Sequence, residues 1–153
     1  MTMQEDYEGY TKESSKLLPK LEGATLHTVL INVVDPEFNV VYLGTSNGVF
    51  ALQGEVGGEY LGVHECPDLP EITNQDGYII CKHQPFERFV GKTIAQARQI
   101  GDVWNGHGYE LAFSGEENHT MIVQSIYCGV EPKELSDCLR LGVGVYENQW
   151  AKT

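Results

Sequence analysis

Apolar and polar side chains alternate with a period of two along much of the chain, and residues i and i+2 of an extended strand share a face. Runs of β-branched and aromatic residues bounded by Gly, Asn and Asp predict strands at 25–34 (TLHTVLINVV), 39–45 (NVVYLGT), 48–53 (GVFALQ) and 59–66 (EYLGVHEC), with further strands near 77–83, 92–100, 108–114, 119–127 and 142–147. The short connections Asp35-Pro36-Glu37 and Ser46-Asn47-Gly48 suit hairpins, so the early strands are expected to form an antiparallel meander. Helical spacing is scarcer. An N-terminal amphipathic piece carrying Tyr7, Tyr10, Leu17 and Leu18 is expected to stop at Pro19, and a second helix to start at Pro132, face Leu135, Cys138 and Leu139 inward, and end at Gly142.

The pattern repeats. An offset of 68 residues sets Leu21-x-Gly23-x-Thr25-Leu26 on Phe89-x-Gly91-x-Thr93-Ile94, Leu18 on Phe86, Leu43 on Leu111 and Ser46 on Ser114. After three extra residues in the second copy, Phe50, Leu52 and Gln53 fall on Met121, Val123 and Gln124. The expected fold is therefore α+β and mostly antiparallel β in a single domain over 1–153. Its internal repeat would run over 17–83 and 84–153: two three-stranded units about a pseudo-twofold, with one or two short helices.

With 41% hydrophobic residues and 153 positions, the chain can bury a core without a disulfide or metal. Its four cysteines read as reduced thiols, and the acidic N-terminus and the lack of a long apolar run point to a cytoplasmic protein with no membrane contact. The net charge is −12, and residues 21–81 alone contribute −9 without a single Lys or Arg. Such a field repels phosphate backbones and disfavours direct nucleic-acid binding. Gathered on one face, the same carboxylates would suit a nucleic-acid mimic or an acidic inhibitor of a basic protein partner.

Two constellations carry candidate chemistry. His64-Glu65-Cys66 and Cys81-Lys82-His83 each place an imidazole and a thiol on one strand face, and a simple antiparallel register would set Cys66 opposite Cys81 and His64 opposite His83. Those four side chains are suitable zinc ligands, although the one-residue spacing differs from the tight turns of structural zinc sites. The second is the glycine-framed run Trp104-Asn105-Gly106-His107-Gly108-Tyr109, which could gather Trp104, His107 and Tyr109 around a small-ligand concavity, with Gln124 and Tyr127 from the following strand as neighbours. A nucleophile elbow, a phosphate loop, a zinc-protease helix and a dinucleotide fingerprint are all missing from the sequence.

The segments Gly106-His107-Gly108-Tyr109-Glu110-Leu111-Ala112-Phe113 and Met121-Ile122-Val123-Gln124-Ser125-Ile126-Tyr127 resemble small uncharacterised bacterial proteins, including ones carried as integron gene cassettes. That resemblance implies a stand-alone cytoplasmic domain from a mobile element. The residues themselves are best read as a non-enzymatic binding module for a small ligand or protein partner, with scope for homo-oligomers. The competing classes are the acidic inhibitor and a metal-dependent or His-dependent enzyme.

Overall fold

A computed structural model describes residues 12, 14–32, 40–55, 60–75, 79–101, 106–125 and 139–145. Strands β1 (Leu26–Asn32), β2 (Val40–Thr45), β3 (Gly48–Glu55), β4 (Tyr60–Cys66) and β5 (Ile80–Lys82) form one antiparallel sheet in the order β4-β3-β2-β1-β5. Strands β6 (Ile94–Ile100), β7 (His107–Phe113), β8 (Glu116–Ser125) and β9 (Leu139–Val145) form a second, in simple meander order. Among the described residues, helix is confined to short pieces, chiefly α1 (Leu18–Leu21) and a 3₁₀ helix at Gln84–Phe89, and no helix is long and apolar enough to cross a membrane.

The alternation explains how the sheets meet. Val29, Ile31, Val41, Leu43, Phe50, Leu52, Leu61 and Val63 project from the first sheet into one cluster with Ile94, Tyr109, Leu111, Phe113, Met121 and Val123 of the second. Each such side chain taken out of water contributes roughly 1.5–3 kcal/mol. Leu21, Phe86 and Phe89 from the two short helices fill the same core, and Phe89 stacks on Phe113 at a ring separation of 4.6 Å. The β2–β3 hairpin is held by its own side chains: the Asn47 amide donates to Thr45 Oγ1 at 3.0 Å, and that hydroxyl donates to the Gly48 carbonyl at 2.9 Å.

Where β1 and β6 begin, the sheets are joined by paired backbone bonds. The Gly23 amide donates to the Ile94 carbonyl at 2.8 Å and the Gly91 amide to the Leu26 carbonyl at 2.7 Å; Leu26 N–H reaches Lys92 O at 2.9 Å and Ile94 N–H reaches Ala24 O at 2.8 Å. Gly23 and Gly91 have φ of 87° and 90°, a left-handed conformation that favours glycine. Thr25 and Thr93 bridge one another, and β1 and β6 each carry an irregularity, between Leu26 and Thr28 and between Ile94 and Gln96.

Three expectations are corrected. The helical residues Ser14 and Ser15 give way to a turn at Lys16 and Leu17 before Pro19, but Pro19 itself lies in the first turn of a further short helix, α1, where a residue has no intrahelical use for the N–H that proline lacks; Tyr7 and Tyr10 lie outside the described residues. Leu139 and Gly142 belong to β9, paired with Ser125 and Ile122, and not to a helix ending at Gly142; residues 132–138 lie outside the described residues. Each meander also has a fourth strand, β4 or β9, where three-stranded units were expected.

Candidate functional site

The glycine-framed run does not form a surface loop around an aromatic concavity. His107 is 0% exposed and Tyr109 1% exposed, both on the inner face of β7, while Trp104 and Tyr127 lie outside the described residues. The Leu61 amide of β4 donates to His107 Nδ1 at 2.9 Å, and the His107 ring meets Tyr109 edge-on at 5.3 Å and Tyr60 at 6.5 Å. Burial pushes the imidazole down to about 4, so it is neutral at pH 7. With Nδ1 accepting, the neutral ring carries its proton on Nε2. His107 is thus a polar tie between the two sheets, set in the core.

Gln124 is half-buried on the outer face of β8, opposite Gly108, and its Nε2 donates to the Gly106 carbonyl at 2.8 Å. A Cβ on Gly101 would lie 1.9 Å from that same carbonyl, and one on Gly108 would lie 1.9 Å from the Val123 carbonyl. These glycines are required by close backbone approach, which leaves no room there for a ligand group.

The four proposed metal ligands do not meet. β4 carries His64 and Cys66 at one edge of the first sheet, and β5 carries Cys81 at the other, with His83 just beyond; four inter-strand steps separate them, about 19 Å. The expected register fails because β4 takes β3 as its neighbour and β5 takes β1. His64 is exposed, the His83 ring stands edge-on against Phe86 at 4.7 Å, and burial lowers the His83 pKa and raises that of Cys66. Among the described residues no group of three or more His, Cys, Asp or Glu is placed to hold a metal ion.

The chain between β4 and β5 builds what the sequence reading missed. It leaves one sheet edge and reaches the other, and Leu69 seats over the bare backbone of Gly44 in β2, where a Cβ would come within 2.9 Å of Leu69 Cδ1. Thr73 then pairs with Ile80, each amide donating to the other's carbonyl at 3.1 and 2.8 Å. Between this segment and the sheet lies an open cleft of about 570 Å³, lined by Asn32, Tyr42, Pro70, Glu71, Thr73, Gln75 and Ile80. The described lining holds two amides, two hydroxyls and a carboxylate beside a proline and an isoleucine, and among the described residues it includes no basic side chain. In sequence the only hint is the polar cluster Glu71 to Gln75, which reads equally as an ordinary loop.

The outer face of the second sheet carries a partly buried ion pair. Glu110 Oε1 accepts from Arg98 Nη2 at 2.7 Å and Nε at 3.0 Å, and Glu110 Oε2 accepts from the Thr120 hydroxyl at 2.6 Å. Elsewhere Glu116 sits among Lys92, Arg88 and His119, at 3.2, 3.3 and 3.8 Å; the hydrogen bond from Lys92 leads in holding its carboxyl below the usual range, with Arg88 adding to it. Of the acidic first half, Glu22, Glu65, Asp68 and Glu71 are exposed, whereas Asp35, Glu37, Glu59 and Asp76 lie outside the described residues. Comparison with protein-family models, curated proteins and solved structures finds no match to this chain.

Proposed function

We propose that this protein is a non-enzymatic binding module whose small ligand sits in the cleft between the first sheet and the segment carrying Leu69 to Gln75. The observation that carries the reading is an open cleft of small-molecule volume lined by Asn32, Tyr42, Glu71, Thr73 and Gln75 together with Pro70 and Ile80. Among the described residues the lining holds one carboxylate and no cation, which favours a neutral polyhydroxylated ligand or a primary amine over phosphates and carboxylates. His107 supports no enzymatic alternative: it lies in the core with Nδ1 engaged by Leu61.

We further infer that the two meanders are copies of one unit about a pseudo-twofold. The reciprocal bonds of Gly23 with Ile94 and of Gly91 with Leu26, each related by the 68-residue offset, support that reading, as do the matching irregularities in β1 and β6.

Calorimetric titration with polyols, amines and small anions tests the binding reading. Saturable binding of a polyol or amine, weakened at least several-fold by Glu71→Gln or Gln75→Ala with the thermal midpoint of the free protein unchanged, is expected. Binding only of anions, or binding indifferent to both substitutions, would overturn it.

A further inference from the structure

We propose that the outer edge of β9 is a self-association surface, at which a second copy pairs antiparallel and joins two four-stranded sheets into one of eight strands. The other three sheet edges are blocked. On β4, the outward amides of Leu61 and Val63 donate to His107 Nδ1 and to Ser14 Oγ, at 2.9 and 3.0 Å. On β6, the Ala97 amide donates to Glu22 Oε2 at 3.1 Å, and on β5, Ile80 is bridged by Thr73. Side chains and loops that occupy edge amides in this way prevent pairing with another chain. Among the described residues nothing comparable caps β9 on the side away from β8.

The sequence of β9, LRLGVGV, is self-complementary in one register. Antiparallel pairing centred on Gly142 sets Leu141 opposite Val143 of the second copy, both half-exposed inner-face residues that the partner strand would help to cover. Gly142 would meet its own counterpart, and a Cβ there finds no atom within 4 Å, so nothing on that face obstructs the approach. The same register lays the exposed Arg140 of one copy over Gly144 of the other. A Cβ on Gly144 would lie 2.6 Å from Ile122 Cδ1 and 2.7 Å from Thr120 Oγ1, so the bare backbone there makes room for those side chains, across which the Arg140 stem of the second copy would lie. Sliding the pair to centre on Arg140 would bring two like charges together, and a slip by one residue would turn the apolar side chains of one copy against the outer face of the other.

Sedimentation equilibrium of the full chain over a micromolar-to-millimolar series tests this. The wild type is expected to approach twice the 17.0 kDa of one chain. Gly142→Lys, whose side chain enters open space in one copy but faces its like charge in the pair, is expected to remain at 17.0 kDa with unchanged circular dichroism. Arg140→Glu takes each copy from a net charge of −12 to −14 and acts at both symmetry-related positions of the pair, and it should weaken association by about tenfold. Gly142→Cys should form an intermolecular disulfide on mild oxidation where the wild type does not, because directly opposed strand positions fall within disulfide reach. A wild type that stays single throughout, for example because another segment of the chain covers β9, would overturn the proposal. So would a dimer that Gly142→Lys leaves intact.

Discussion

The amide of Leu61, in an edge strand of the first sheet, donates to Nδ1 of His107 in the second, at 2.9 Å and out of contact with water. This bond does two jobs. It satisfies an edge amide that would otherwise cost its desolvation, and it fixes how β4 lies over β7.

Replacing His107 by Ala is therefore expected to lower unfolding free energy by about 2–4 kcal/mol, since it strands a buried donor and leaves a cavity. Urea denaturation measures the loss. A change below about 0.5 kcal/mol would show that the bond contributes nothing to stability.

The same residue predicts a pH dependence. Its folded pKa of about 4 lies below the ordinary 6.5, so the unfolded chain takes up a proton first as pH falls. The contribution is fully present above pH 6.5 and is lost progressively as pH falls from 6.5 to about 4, reaching about 3 kcal/mol. His107→Gln should flatten this part of the stability profile, and an unchanged profile would assign the acid sensitivity to carboxylates.

Glu110 and Thr120 form the next pair to test. Glu110→Ala removes the acceptor of the Thr120 hydroxyl and the carboxylate that faces Arg98, and a loss of about 2 kcal/mol is expected, reduced from the buried-pair range because Arg98 is partly solvated. In a double-mutant cycle with Thr120→Val the two losses should not add.

Glycine contacts give a contrast between soft and hard neighbours. Gly44→Ala presses on the tip of Leu69, which can turn aside, and should cost about 1 kcal/mol and be relieved by Leu69→Ala. Gly108→Ala instead drives a Cβ against the Val123 backbone and should cost about 3 kcal/mol or more. Thermal melts of the two variants check the order.

The period-two alternation by itself determined the β1–β4 meander and the inner faces of β7 and β8, because side-chain direction in a strand follows from position and short hairpins leave consecutive strands little choice of partner. The 68-residue match likewise marked Gly23, Gly91, Thr25 and Thr93 before their reciprocal bonds could be seen. Tertiary structure decided the rest. A strand pattern has no information about which free edge a strand joins after a long connection, so Cys66 and Cys81 looked paired and stand at opposite edges of the sheet. Nor does a glycine beside a histidine reveal whether the turn opens to water or is pressed against another backbone; the packing of β4 over β7 placed His107 in the core. The cleft arises only when a polar loop with no periodic pattern returns across the outer face of a sheet and Leu69 finds the bare backbone of Gly44, a contact between residues 25 positions apart that no local propensity encodes.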